Sequence, residues 1–314
     1  MTIQQISSSN RLATAFIAAL LEEAPIIQYL QFYSMVGNAD APRKASEAEG
    51  GAYRALNSDY NDNEVDPSFG DPQLAILGDK VETDVAHERR GADIPSVRAT
   101  DLRAFARYFG KFFANELVNG AGQSQSPKKL NGIKGLLPMG NEQAIYATGE
   151  NDTELTAQFG NSDAAVKSQQ KVKERLNHLI GMVDGGPDVL LMSNELLQYI
   201  TSVFEGMVET SRNEFGTLIS TYNRIPMVPA GYAPNGNAVI QQNENPGSIT
   251  AGTQSVYALK FGEKMDLTCA TNEGIQVIDK GVVDVHYTYH VDFDAQVALL
   301  NDKAAARLAG IQIA

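Results

Sequence analysis

The stretch GNADAPRKASEAEGGAYRALNSDYNDNEVDPSFGDPQLAILGDKVETD, Gly37 to Asp84, decides how this chain is organised. It is a 48-residue run rich in Gly, Pro, Asp, Asn and Glu, and nearly empty of Ile, Leu, Val and Phe until Leu74. A closed catalytic domain has little use for so long a connection; such segments are commonly functional or serve interactions. Eleven acids stand against four bases, a balance of −7 out of the chain's −13. Yet Tyr53, Leu56, Tyr60, Phe69, Leu74, Ile76 and Leu77 are scattered along it and need a surface to lie against. A segment too polar to fold alone but dotted with anchors predicts an arm that docks on a neighbouring molecule. That points to an assembly subunit rather than to an enzyme.

Outward from this stretch, 314 residues with 43% hydrophobic and 20% charged side chains allow one large or two ordinary domains with a buried core. The acidic balance argues against tight, sequence-independent binding of nucleic acid, and equally against docking on anionic membranes. A single cysteine, Cys269, cannot form an internal disulfide, which suits a reducing cytoplasm. On the N-terminal side, Leu12 to Leu21 (LATAFIAALL) is too short to span a bilayer and runs straight into Glu22 and Glu23. A docking helix with Leu12, Phe16, Leu20 and Leu21 on one side is a better reading than a signal peptide.

On the C-terminal side, Ser96 to Asn119 predicts a long helix. Pro95 suits its first turn, Gly120 its stop, and Leu102, Phe105, Phe109, Phe112, Phe113 and Leu117 recur at helical spacing. Its other flank carries Arg103, Arg107 and Lys111, a basic stripe open to three readings: a solvated face, a seat for an acidic segment, or weak contact with nucleic acid. Asn131 to Leu137 (NGIKGLL) reads as a turn into apolar residues. Further helices are expected over Ala164–Val183 and from Asn194 to about Glu209, with Asp188–Met192 (DVLLM) a buried strand between them. Short strands are expected at Ile225–Val228, Val239–Gln241, Ser255–Phe261 and Gly274–Ile278, then a long one over Val282–Phe293. In that last strand Val283, Val285, Tyr287, Tyr289, Val291 and Phe293 alternate with Asp284, His286, Thr288, His290, Asp292 and Asp294. Lys303–Leu308 reads as a closing helical turn.

The polar face of that strand tempts a zinc reading, but His286 and His290 stand about 13 Å apart along a strand, too far to share one ion. One wet face of a sheet is the plainer reading. Asp59, Asn61 and Asn63 resemble the opening of a calcium loop, which then fails at Glu64 and Gly70. No phosphate loop, dinucleotide fingerprint or nucleophile elbow occurs, and Cys269 has no histidine within twelve residues. No catalytic, cofactor or metal residue is assigned.

The order of parts carries a resemblance: arm, acidic excursion, long helix with a glycine stop, NGIKGLL, helix, Gly186–Ser193 (GPDVLLMS), helix, strands, and the close Val291–Leu308 (VDFDAQVALLNDKAAARL). In layout this resembles the major capsid proteins of tailed bacteriophages, with the α+β Hong Kong 97-like fold. The resemblance implies an N-terminal arm (1–32), an extended loop (33–85), a peripheral domain with a spine helix (86–127 and 253–295) and an axial domain (128–252 and 296–314). It implies self-assembly through hexamers and pentamers into an icosahedral virion shell enclosing double-stranded DNA, built in the host cytoplasm. A separate scaffolding protein, a portal and a decoration protein are implied partners, with weak, non-specific contact to the packaged DNA. The shell protein of a cellular nanocompartment with the same fold is the alternative. Expected contacts between copies are Tyr53, Leu56 and Phe69 from the loop, and Arg103, Arg107 and Lys111 from the helix.

Overall fold

The computed structural model describes residues 1–7, 11–37, 41–44, 68–149, 153–212 and 218–313. The chain opens with α1 (Ile3–Ile6), α2 (Arg11–Glu23), a 3-10 turn (Pro25–Gln28) and β1 (Phe32–Ser34). After the excursion come β2 (Ala75–Asp84), α3 (Ala86–Arg89), α4 (Ile94–Asn119) and α5 (Ile133–Leu136). Next are β3 (Ala144–Tyr146), β4 (Leu155–Ala157), α6 (Asp163–Gly181), β5 (Val189–Met192) and α7 (Asn194–Val203). The remainder is strand: β6 (Val208–Arg212), β7 (Leu218–Tyr222), β8 (Ile225–Pro229), β9 (Gln254–Leu259), β10 (Phe261–Gly262), β11 (Met265–Val283), β12 (His286–Leu299) and β13 (Ala305–Ile313).

These strands form two sheets. One runs β1-β11-β12-β2, with β10 against β11; the other runs β3-β13-β9-β5-β8-β7-β6, with β4 also on β13. The helix α4 lies on the first sheet because Leu102, Ala106, Phe109, Phe113 and Leu117 line one side of it, all nearly or fully buried. Phe113 and Phe32 both pack against Phe293 of β12, with ring centroids 5.6 and 6.3 Å away. On an adjoining side α4 meets α2, where Phe16 touches Phe105 and Phe109 at 6.0 and 5.8 Å. Gly110 permits that crossing, since a Cβ there would stand 2.9 Å from the Leu20 carbonyl oxygen. The second sheet carries α6 and α7 on one face, packed through Val172, Leu176, Leu179, Leu196, Tyr199 and Ile200. Its other face, through Val189, Leu191, Tyr257 and Leu259, joins the first core, so β5 and β9 are covered on both sides.

Several expectations change once packing is seen. The buried side of α2 is Ala13, Phe16, Ile17 and Leu20; Leu12 is exposed, because α4 and β11 take the side one residue round. Gly120 ends α4 at φ −53°, so it is no left-handed stop. Glycine is needed there because a Cβ would lie 2.4 Å from the Leu130 carbonyl oxygen as the chain doubles back. NGIKGLL contains a helical turn, α5. The helix opening at Asn194 ends at Val203 rather than near Glu209, since Val208–Arg212 is taken up by pairing with β7. Val239 and Ile240 are buried but form no strand, and Gly274–Ile278 is the middle of the 19-residue β11.

Two corrections matter more. Val282–Phe293 is not one strand: β11 and β12 meet there, and Asp284 turns the chain at φ +55°. Lys303–Leu308 is not helical. After a 3-10 turn at Asp302–Ala304 it enters β13, because its alanines fit between β9 and the β3 and β4 edges; sheet pairing overrides the helix preference of alanine. The end of the acidic excursion is itself a ten-residue strand, β2, paired along its length with β12. It buries Leu77 and Val81 within this chain while Ile76 stays 79% exposed.

Candidate assembly surfaces

The excursion leaves and returns through one short ladder. Arg43 and Phe69 form an antiparallel bridge, Lys44 N donates to Ser68 O at 2.8 Å, and Gly70 N donates to Pro42 O at 2.8 Å. Pro42–Lys44 and Ser68–Gly70 thus form a short two-stranded stem. Phe69, at 57% exposure, lies on that stem with its ring largely free of this chain. Tyr53 and Leu56 lie outside the described residues, as do Asp59, Asn61 and Asn63.

The basic stripe of α4 meets acids of its own chain. Arg107 approaches Glu22 at 3.3 Å and Glu23 at 3.7 Å, and Lys111 approaches Glu23 at 3.5 Å. The dipeptide that ends α2 thus seats on the stripe from within, and all these groups are partly exposed. Arg103 is exposed, and among the described residues no ion pair reaches it. Tyr108, 55% exposed, extends the aromatic row by stacking on Phe105.

The β11–β12 turn presents a surface that alternation misassigned. Val282, Val283 and Val285 are 54, 47 and 61% exposed, where the pattern had placed Val283 and Val285 on the covered face. The signal was present in Gly281 and Asp284, both turn formers, both at positive φ. Thr288, expected on the wet face, is buried, whereas Asp292 on the same face is exposed. Tyr287 and Tyr289 are roofed by the Arg98 guanidinium, 5.2 and 4.1 Å from their rings, which also pairs with Asp279 at 2.7 Å. Burial alone would raise the Asp279 carboxyl, but Arg98 and the Gly281 N–H together hold it below its usual range.

Deep in the second sheet lies a polar centre without any sequence signature. Glu244, in the connection from β8 to β9, accepts from Arg307 of β13 at 2.9 Å and from Lys134 of α5 at 2.8 Å. The Ser255 hydroxyl donates to the same carboxylate. Arg307 spends its remaining reach on Ser255 Oγ at 3.1 Å and Leu137 O at 3.2 Å. Burial alone would raise the Glu244 carboxyl, but Arg307, Lys134 and Ser255 together hold it below the ordinary value. This is the makeup of a structural joint, with a paired and saturated charge.

His286 and His290 sit on β12 opposite Asp84 and Lys80 of β2, four residues apart as the spacing required. Among the described residues no group of three or more His, Cys, Asp and Glu side chains is gathered to hold a metal ion. Cys269 is wholly buried, and burial pushes its thiol up to about 12, which makes it a poor nucleophile. Among the described residues no helix is long and apolar enough to cross a membrane.

No protein-family model matches this sequence, and no curated protein does. Solved structures match it throughout. A chain of the holo-SrpI encapsulin complex from Synechococcus elongatus is 15% identical at TM-score 0.60, over 91% of this chain and 87% of that one. The capsid of a native GTA particle is 12% identical at TM-score 0.57, over 93% and 90%. The head of Helicobacter pylori bacteriophage KHP40 is 9% identical at TM-score 0.56, over 91% and 87%. The chain has the α+β Hong Kong 97-like capsid fold.

Proposed function

We propose that this chain is the major capsid protein of a tailed bacteriophage, a non-enzymatic subunit whose work is closed self-assembly. The observation that carries this reading is the likeness to shell subunits over about nine-tenths of both chains. The stem at Arg43–Phe69 supports it. At about 3.3 Å per residue, a loop built from residues 45–67 can reach roughly 36 Å and fold back, enough to lie across a neighbouring copy. Tyr53, Leu56 and Phe69 supply anchors, and Arg103, exposed and met by no ion pair among the described residues, is left to receive an acidic partner segment.

In this reading 1–32 is the arm and 33–85 the extended loop. Residues 86–127 with 253–295 form the peripheral domain, and 128–252 with 296–314 the axial domain. Copies associate head to tail into hexamers and pentamers that close because one patch meets a different patch on the next copy. The shell forms in the host cytoplasm around a separate scaffolding protein, incorporates a portal, accepts a decoration protein, and encloses double-stranded DNA with weak contact. A nanocompartment shell is the second reading, favoured by the encapsulin among the matched structures. Negative-stain microscopy and sedimentation of the chain, expressed with and without its neighbouring genes, test both. Closed shells holding nuclease-resistant DNA support the first, and shells filled with one protein cargo the second. A strict monomer under every condition refutes both.

A further inference from the structure

The root of the stem is held by three carboxamides: Gln123 and Gln296 grip the backbone of Asp71–Gln73, and Asn131 links the two. Gln296 of β12 is wholly buried. Its Nε2 donates to Gln73 O at 2.9 Å and Lys129 O at 3.2 Å, and its Oε1 accepts from Asn131 N at 2.7 Å and Val297 N at 3.0 Å. Gln123, just past α4, accepts from Gln73 N at 3.1 Å and donates to Asp71 O at 3.0 Å. Asn131 closes the ring: its Oδ1 accepts from Gln123 N at 3.1 Å, and its Nδ2 reaches Val297 O at 3.1 Å. The stem's return strand is thereby tied to the end of α4, to the entry of α5 and to β12 at once.

We propose that the Gln73–Gln123–Asn131–Gln296 cluster is a positioning device that fixes the direction of the loop stem relative to α4, and so the angle at which one copy grips the next. This rests on the assembly reading above. Three features favour positioning over mere core filling. Gln296 meets four separate partners, all backbone groups, so the cluster reads chain path rather than side-chain volume. The bonds converge on Asp71–Gln73, immediately after the Gly70 that completes the stem ladder. The three gripping side chains, Gln123, Asn131 and Gln296, are also uncharged and Gln73 is held by its backbone, so this grip does not vary with pH or salt, unlike the ion pairs along α4. A loop that must meet the same patch on every copy needs such a fixed launch angle, because small angular errors accumulate around a closed ring.

Gln123 is partly exposed and is the place to cut without emptying the core. Gln123→Ala, with Gln123→Asn as a conservative companion, is compared with the parent in two measurements. In the free subunit, amide exchange at Lys44 and Gly70 is expected to become about tenfold faster in Gln123→Ala, with the unfolding midpoint nearly unchanged, as befits the loss of local bonds. Under assembly conditions the same variant is expected to give shells of mixed diameter or open sheets, at low and high salt alike. Parental exchange in Gln123→Ala overturns the proposal, and so do faster exchange with shells of parental size and defects that vanish at high salt. Failure of the parent itself to form shells refutes the assembly reading while the exchange measurement still decides whether the cluster holds the stem.

Discussion

Arg307 Nη2 lies 2.9 Å from Glu244 Oε2, with both side chains at most 7% exposed, and this pair ties β13 to the β8–β9 connection. Lys134 reaches the other carboxylate oxygen from α5, so one anion joins α5 to the second sheet. Removing one partner of a buried pair strands the other charge. Glu244→Gln is expected to destabilise the subunit by about 3 kcal/mol, and replacing both Glu244 and Arg307 by apolar residues to cost less than the two single changes together. Urea unfolding of the three variants measures this; additive losses would deny the coupling.

The same carboxylate sets an acid response. Its folded pKa lies below the ordinary 4.5, so the unfolded chain binds more protons in that range and stability rises with pH across it. The contribution is complete at neutral pH and is lost as pH falls from about 4.5 through the folded value. The unfolding midpoint of the parent is expected to fall more steeply than that of Glu244→Gln below pH 4.5. Parallel curves would remove Glu244 from the acid response.

The pairs along α4 are weak and intrachain. Arg107→Gln is expected to cost about 0.2–1 kcal/mol already in the free subunit, shrinking near 1 M salt, where the Debye length is about 3 Å. Arg103→Gln is expected to leave the free subunit unchanged and to weaken assembly at low salt. A salt-independent loss at either position would point instead to packing by the long side chains.

Under the assembly reading, residues 45–67 become covered in the shell. Trypsin is expected to cut after Lys44 or Arg54 in the free subunit and to spare both in assembled particles. Equal cutting in the two states, followed by mass spectrometry, would contradict the docked loop.

His286 and His290 carry no ligand role in this reading. His286→Gln with His290→Gln is expected to leave shell yield and thermal stability at parental values. Stoichiometric zinc in the purified parent, lost in the double variant, would overturn the distance argument.

The sequence by itself determined the parts whose cause is local. The apolar spacing from Leu102 to Leu117 made α4, and the run at Asp188–Met192 could only be a covered strand. The acidic excursion announced itself by composition. What the tertiary structure decided were features fixed by whatever lies opposite. Ala75–Asp84 became a strand because β12 was there to pair with it. Ala305–Ile313 became one because β9 offered an edge, against the helix preference of its alanines. The valines around Asp284 came out exposed because the chain reversed between them, which period-two alternation cannot register. Gln73, Gln123, Asn131 and Gln296, like Glu244 and Arg307, are ordinary polar residues wherever they are read singly. Their bonds span dozens to more than two hundred residues of chain, and a hydrogen bond between such distant groups exists only once packing has excluded water and brought donor to acceptor.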